Sequence, residues 1–203
     1  QYTGEQQQKY ITLDNVTLKH YPDKKKSRGQ YLPLLELSVK ENPNDDRNMH
    51  YLGREYMFYK MYDKSIETLK KHLALPNAKW KDERCASMRY IAKCYINKGN
   101  YEQAELWYEK AIKETPYLRE PYIEYAQLEY ELQNWSKVTE LVENALKITE
   151  RPMTYTSEGY CWNYVPYDLL SIAYFNLGNY PLSLKNAVSA YFLEPENERV
   201  KDN

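Results

Sequence analysis

The 203-residue sequence has little glycine, little cysteine and almost no net charge. Six glycines and ten prolines are too few for a collagen-like or a long disordered chain. Three cysteines, Cys85, Cys94 and Cys161, are too few and too scattered for a disulfide framework. They indicate a reducing compartment, so we expect a cytoplasmic protein. The formal net charge of −1 disfavours nucleic-acid binding through overall charge.

The sequence also lacks long apolar runs and the usual signatures of catalysis. No run of about 18 apolar residues is present, which predicts no membrane span, and no signal peptide is visible at the start. A glycine-rich phosphate loop, a nucleophile elbow, an Asp-x-Asp pair and cysteines or histidines at zinc-ligand spacing are all missing. We therefore expect no catalytic residue, metal site or cofactor in this chain, and no enzymatic activity from it alone.

What the sequence does contain is 23 tyrosines and an internal repeat. The strings at 99–101, 133–135 and 178–180 each end in Asn followed by an aromatic residue, and the string at 60–62 keeps only the aromatic. The aromatics are spaced by 39, 34 and 45 residues. Upstream of each is a run in which two large residues precede a small one, and the small residues are Gly53, Ala92, Ala126 and Ser171. This order is typical of two antiparallel helices that pack closely.

The repeat resembles the tetratricopeptide repeat family over residues 46–197, with 85–118 and 164–197 matching best. The resemblance implies an all-α, right-handed solenoid of helix pairs in four repeats, whose first helices line a concave face. Before the repeats, residues 27–42 read as a helix that caps the stack. Residues 1–26 contain alternating segments that predict a short β-hairpin-like element. Residues 198–203 form a tail.

The repeat positions predict which side chains line the concave groove and bind a partner. The groove residues expected from the first helices are His50, Arg54, Met57, Arg89, Lys93, Asn97, Ile123, Gln127, Tyr130, Asp168, Ile172 and Phe175. Residues 46–116 carry 14 basic and 10 acidic side chains, and residues 117–150 carry 3 and 7. A basic wall of Arg54, Arg89 and Lys93 would orient an acidic segment of a ligand, unless the face is simply solvated with local ion pairs.

The long insert at residues 151–163, between the third and fourth repeats, is rich in aromatic residues, including Tyr155, Tyr160 and Trp162. Aromatic surface in a loop usually packs against something. Two alternatives follow from the sequence: the insert packs locally on its own repeats, or it offers a surface to a partner.

Several stretches also resemble the C-terminal repeat region of bacterial family 2-type glycosyltransferases. They lie at 20–23, 26–32, 51–56, 80–85, 119–122, 166–170 and 198–199. The resemblance implies an upstream nucleotide-sugar domain that holds a divalent metal, with residues 1–23 as its last strands. The expected function is an interaction module that binds a protein or peptide in the groove. The alternative is a part of the transferase that positions the acceptor; self-association stays open in both cases.

Overall fold

The computed structural model describes residues 28–201, and the regular structure in this range is entirely helical. Ten α-helices span Tyr31–Glu41 (α1), Asp46–Phe58 (α2), Tyr62–Ala74 (α3), Lys81–Asn97 (α4), Tyr101–Glu114 (α5), Glu120–Glu131 (α6), Trp135–Leu146 (α7), Val165–Asn176 (α8), Tyr180–Leu193 (α9) and Glu198–Lys201 (α10). Short 3-10 turns lie at Arg28–Gln30 and Gly159–Trp162. The hairpin-like segment predicted at residues 1–26 lies outside the described residues.

The helices from α2 to α9 form four antiparallel pairs that stack in chain order. The second helix of each pair contacts its own first helix and also the first helix of the next pair, as α3 does with α2 and α4. The first helices α2, α4, α6 and α8 also contact one another in succession, so they share one face of the stack. The predicted all-α, tetratricopeptide-like solenoid is confirmed for residues 28–201.

Each pair turns through the same backbone motif, which explains the repeated strings. Lys60, Gly99, Gln133 and Gly178 occupy the equivalent position with φ between 57° and 75°. The next amide donates to the carbonyl five residues before it, as Asn100 N does to Tyr95 O at 2.9 Å, and this closes a Schellman motif. Two repeats supply the glycine that this conformation favours and two do not.

The predicted small positions bring the paired helices together. A Cβ atom on Gly53 would lie 2.5 Å from side-chain carbons of Leu69 on α3, so only glycine fits there. Ala92 and Ala126 are completely buried, and Ser171 is nearly so. The main core runs through all four pairs, and all three free cysteines are buried within the fold.

The two ends of the stack differ. At the first end, Leu35 of α1 packs against Leu52 and Tyr56 of α2. At the other end, α9 leaves large apolar side chains exposed, including Leu184 and Phe192. None of the helices in the described range combines the length and apolar character that crossing a membrane requires.

Candidate functional site

The twelve predicted groove residues fall into three repeat positions that differ in exposure. The first position is buried in all four repeats, where it is occupied by His50, Arg89, Ile123 and Asp168. The second is half-buried, and the third ranges from half-buried at Met57 and Tyr130 to exposed at Asn97 and Phe175. Exposure therefore rises along each first helix from its N-terminal end. His50, Arg89 and Ile123 are not accessible to a ligand in this structure.

The long insert (151–163) accounts for much of this gradient, because it lies across the N-terminal halves of α2, α4 and α6. Tyr155 reaches α2 and α4, Thr156 and Glu158 reach α4 and α6, and Tyr160 and Trp162 reach α6. Of the two alternatives from the sequence, local packing is therefore the one that the structure shows. The insert and the concave surface beneath it are called the covered half below.

Tyr155 fills a shallow pocket at the first end of the covered half. Its ring centroid lies 5.4 Å from that of Trp80 in an edge-on arrangement, 6.0 Å from that of Tyr51 and 6.4 Å from that of His50. The Tyr155 hydroxyl donates to the buried carboxylate of Glu83. Burial and the Glu83 charge raise the pKa of Tyr155, so this hydroxyl stays protonated and remains a donor.

Behind Glu83, a chain of buried polar groups joins α2, α3 and α4. Ser87 Oγ lies 2.8 Å from His50 Nδ1 and 2.9 Å from His72 Nδ1, and His72 Nε2 lies 3.5 Å from Glu83 Oε1. The serine hydroxyl has one hydrogen, so it donates to one imidazole and accepts from the other. With His72 Nε2–H directed at Glu83, His50 Nδ1–H donates to Ser87 and His50 Nε2 is left as a buried acceptor without a partner.

The protonation of this chain follows from burial and charge. Burial lowers the pKa of His50 to about 3, so the imidazole is neutral in the folded protein. Burial alone would raise the pKa of Glu83, but the nearby His72 imidazole and the hydrogen bond from the Tyr155 hydroxyl lower it, so Glu83 is ionised. An ionised Glu83 is therefore the acceptor at the base of the Tyr155 pocket.

The middle of the covered half is a buried ion pair between Arg89 of α4 and Glu124 of α6. Arg89 Nε donates to Glu124 Oε2 at 3.0 Å, and Lys93 Nζ and the Tyr160 hydroxyl each donate to Oε1 at 2.8 Å. Burial alone would raise the pKa of Glu124, but Arg89 and Lys93 bring it well below its usual range. Arg89 also donates to the carbonyl of Thr156 at 3.3 Å.

Glu120 completes the covered half by holding the end of the insert. Its Oε1 accepts from Trp162 Nε1 at 3.1 Å and from the backbone amide of Glu158 at 3.0 Å, while its Oε2 is buried without a hydrogen bond. The Arg119 guanidinium lies 4.2 Å from the Trp162 ring centre. Glu83, Glu120 and Glu124 thus accept the hydrogen bonds that Tyr155, Trp162 and Tyr160 of the insert donate.

The C-terminal halves of α4 and α6 stay open and, together with the first turns of α8, enclose a cavity of about 680 Å³. Its apolar lining includes Ile96, Leu128 and Val165, and its aromatic lining includes Tyr101 and Tyr130. Four of the predicted groove residues line it, namely Lys93, Gln127, Tyr130 and Asp168. This cavity and its lining are called the open half below.

Arg199 of α10 closes one side of this cavity. Its guanidinium pairs with Asp168 at 3.0 Å and lies 5.8 Å from the ring centre of Tyr130. Asp168 is itself nearly fully buried. The one-turn helix α10 therefore ties the end of the described chain to α6 and α8 at the open half.

The basic wall expected from the sequence is not a free surface in the structure. Arg89 and Lys93 both pair with Glu124, and the Arg54 guanidinium lies 4.9 Å from the ring centre of Tyr51. The excess of positive charge in the first repeats is thus partly compensated by a carboxylate from the acidic third repeat. Within residues 28–201, no cluster of three or more His, Cys, Asp or Glu side chains could hold a metal ion.

Sequence reasoning missed the residues that hold the insert. Glu83, Glu120 and Glu124 were not among the predicted site residues, and neither was His72, whose ring centroid lies 5.4 Å from that of His50. One signal was available: His72 occupies the position that Ala111, Ala145 and Ala190 fill in the other repeats, all completely buried. A histidine at a position reserved for buried alanine indicates a buried polar partner.

Comparison with known proteins supports the repeat. Residues 85–118, which form α4, α5 and the following turn, match the tetratricopeptide repeat family model. No curated protein matches the sequence.

Several solved structures share the fold at low sequence identity. A crystal structure of MamA is 17% identical, with a TM-score of 0.64, over 81% of this chain and 87% of that one. The PilF protein of Pseudomonas aeruginosa is 11% identical, with a TM-score of 0.63, over 83% of this chain and 69% of that one. YrrB, described as a TPR protein with an unusual peptide-binding site, is 9% identical, with a TM-score of 0.61, over 86% and 81%. The chain is thus similar to tetratricopeptide proteins in fold.

Proposed function

We propose that this chain is a protein-interaction module that binds an extended segment of a partner protein in the open half of its concave face. The observation that carries the proposal is the cavity of about 680 Å³, which falls in the size range of ligand sites, roughly 300–1,000 Å³. The similar protein YrrB is itself a TPR protein with a peptide-binding site.

The lining favours a segment with an apolar or aromatic anchor. Ile96, Leu128 and Val165 offer apolar contact, and Tyr101 and Tyr130 offer ring faces. Lys93 and Arg199 already have carboxylate partners, so they supply local polarity rather than a free positive charge. Gln127 supplies amide groups for backbone hydrogen bonds. An anchor side chain in an apolar pocket with polar groups at its rim is the usual arrangement of a peptide site.

Selection from a displayed peptide library tests this proposal. We expect selected peptides that carry an apolar or aromatic anchor, and we expect Tyr130→Ala and Gln127→Ala each to weaken their binding by about tenfold, the loss of one good contact. Leu184→Ala, on the exposed face of α9, is the matched control and should leave affinity unchanged. A selection that yields no binder, or binders that are indifferent to both cavity variants, would contradict the proposal.

A second proposal concerns the parent protein: the module belongs to a family 2-like glycosyltransferase and helps to position the acceptor. The supporting observation is that two of the stretches resembling that family, 80–85 and 119–122, contact the insert. Trp80 and Glu83 contact Tyr155, and Arg119 and Glu120 contact Trp162. A nucleotide sugar and a divalent metal would then belong to an upstream domain. A cytoplasmic location stays a proposal, supported by three unpaired cysteines.

The parent gene product tests the second proposal. Incubated with nucleotide sugars and Mg²⁺ or Mn²⁺, it should transfer a sugar, whereas residues 1–203 alone should show no turnover. Turnover by the 203 residues alone, or none by the full gene product with any donor, would overturn this assignment.

A further inference from the structure

The pocket that holds Tyr155 has the features of a recognition site. Rings of Trp80, Tyr51 and His50 line one side of the tyrosine ring at centroid distances of 5.4 to 6.4 Å, and the Glu83 carboxylate accepts a hydrogen bond from the hydroxyl. Glu83 is only 3% exposed, so a ring without a hydroxyl would leave a buried carboxylate short of a hydrogen bond. The pocket therefore matches a tyrosine side chain in both shape and chemistry.

The concave face also holds the main chain that follows the tyrosine. Arg89 donates to the carbonyl of Thr156, the next residue, and Glu120 accepts from the amide of Glu158, three residues after the tyrosine. These two contacts do not depend on side-chain identity. A side-chain pocket flanked by main-chain contacts is the way in which many proteins bind extended peptides.

The first part of the insert can leave this site without opening the core. Cys161 is fully buried in the main core and Trp162 packs against it, so the end of the insert is anchored. By contrast, Met153 is 94% exposed and Tyr155 is 46% exposed, and Thr156 is the one buried residue of the segment 152–158. Residues 152–158 contain no α-helix. Their release would uncover the pocket and the two main-chain contacts while Cys161 stays in place.

We propose that the pocket between Tyr51, Trp80 and Glu83 is a tyrosine-binding site, which Tyr155 occupies in this structure and which the tyrosine of an extended partner segment takes when Tyr155 leaves. This inference rests on the proposed role as an interaction module and adds a second contact site with a defined ligand. The insert then competes with the partner, because only the fraction of molecules with an empty pocket can bind.

The chemistry of the pocket sets its selectivity. Phenylalanine keeps the ring contacts but loses the bond to Glu83, and a hydrogen bond to a charged group is worth about tenfold in affinity or more. Phosphotyrosine places about two negative charges beside the ionised Glu83 and is excluded by repulsion. The site therefore selects unmodified tyrosine over both.

A peptide-binding assay on the full 203-residue chain tests the proposal. The probe is a fluorescent peptide of residues 152–158, used in three forms with tyrosine, phenylalanine or phosphotyrosine at position 155. The receptors are the natural chain and the Tyr155→Ala variant, with Met153→Ala as the matched control from the exposed part of the insert. Fluorescence anisotropy gives Kd, and far-UV circular dichroism confirms that each chain is folded.

We expect Tyr155→Ala to bind the tyrosine peptide at least about tenfold more tightly than the natural chain and Met153→Ala do, because its pocket is empty. The phenylalanine peptide should bind it about tenfold more weakly, and the phosphotyrosine peptide should not bind. No binding of the tyrosine peptide by folded Tyr155→Ala, or equal binding of the phenylalanine peptide, would overturn the proposal.

The effect of small phenols on the thermal midpoint is a second measurement, which can be made even if Tyr155→Ala is destabilised. p-Cresol should raise the thermal midpoint of Tyr155→Ala, whereas toluene and p-tolyl phosphate should not; equal effects of p-cresol and toluene would overturn the proposal. If Tyr155→Ala does not fold, Tyr155→Phe replaces it. That variant keeps the ring and should bind the tyrosine peptide more tightly than the natural chain; unchanged affinity would overturn the proposal.

Failure here is distinguishable from failure of the proposed function. Peptides selected on the open half should not compete with the tyrosine peptide, because the two sites use different residues. If the tyrosine peptide fails while cavity peptides bind, only the tyrosine site is wrong. If the reverse holds, the open half is wrong and the tyrosine site stands.

Discussion

The covered half and the open half of the concave face share two helices, α4 and α6, yet they present different chemistry. In the covered half, Arg89 and Glu124 are about 1% exposed and satisfy one another and the insert. In the open half, one helical turn further along, Lys93 and Gln127 line an accessible cavity. The difference comes from the insert, which is no part of the repeat. Repeat position alone therefore does not define the binding surface of a solenoid.

The largest expected effect lies in the covered half, at Glu124→Gln. The substitution keeps the shape but removes the charge that compensates buried Arg89, and breaking such a pair costs about 3–5 kcal/mol. Urea unfolding should show this loss. The matched control is Glu140→Gln, whose exposed pair with Lys137 is worth about 0.5 kcal/mol or less. Equal losses from the two variants would contradict the burial of the Arg89–Glu124 pair.

The second-largest effect is expected from acid, which should lower the free energy of unfolding through the protonation of His50. His50 is neutral in the folded protein, with its pKa near 3, and titrates near its ordinary value of 6.5 when unfolded. The unfolded state therefore binds more protons, so the stabilisation is complete above pH 6.5 and is lost as the pH falls towards 3. At pH 5 the loss is about 2 kcal/mol, from the gap between the pH and the unfolded pKa.

The control for this prediction is His50→Gln. The groups that face His50 are Glu83, His72, Arg47, Arg54 and the surrounding tyrosine rings, and all of them remain in the variant. Between pH 7 and pH 5, the free energy of unfolding should therefore fall by about 2 kcal/mol more in the natural chain than in His50→Gln. A parallel fall in the two chains would show that His50 is not buried as a neutral ring.

Substitutions in the turns between paired helices should have a smaller effect on the free energy of unfolding, and this effect should not depend on the insert. Gln133 has φ of 57°, where Gly178 stands in the fourth repeat. Gln133→Gly should therefore raise the free energy of unfolding by about 0.5–1 kcal/mol, since the left-handed conformation is costly for residues with a Cβ atom. The converse change, Gly178→Ala, should lower it by about 1 kcal/mol. Thermal unfolding checks both, and the same sign from both changes would contradict the account of the turn.

The smallest effect on stability is expected in the cavity itself. Gln127 is half-buried and has no hydrogen bond that holds the fold together among those seen in residues 28–201. Gln127→Ala should change the free energy of unfolding by about 0.5 kcal/mol or less, the usual range for such sites. Chemical denaturation measures this change. A larger loss would mean that the open half is structural rather than available for binding.

The periodic features of the fold were predictable from the sequence. The Asn–aromatic strings marked the turns between paired helices, because those turns depend on local backbone geometry. Gly53 marked a close contact between α2 and α3, because a Cβ atom there would clash with Leu69. Because these features recur from one repeat to the next, one sequence contains several copies of each.

The covered half was not predictable for a physical reason. The contacts of Tyr155 with Glu83 and of Arg89 with Thr156 join residues 72 and 67 positions apart, and no repeat period relates them. The sequence indicated only that an aromatic insert must pack somewhere. Arg89 and His50 were assigned to a solvent-facing groove because the repeat places them there, and the insert then buried them.

The most direct test of the central claim, that the insert lies on the concave face, is a nuclear Overhauser experiment on the folded chain. We expect cross-peaks between ring protons of Tyr155 and those of Trp80, whose ring centroids are 5.4 Å apart. The same peaks should persist at pH 7 in the Gln127→Ala variant. Absence of these cross-peaks, with narrow, solvent-averaged signals from residues 152–158, would contradict it.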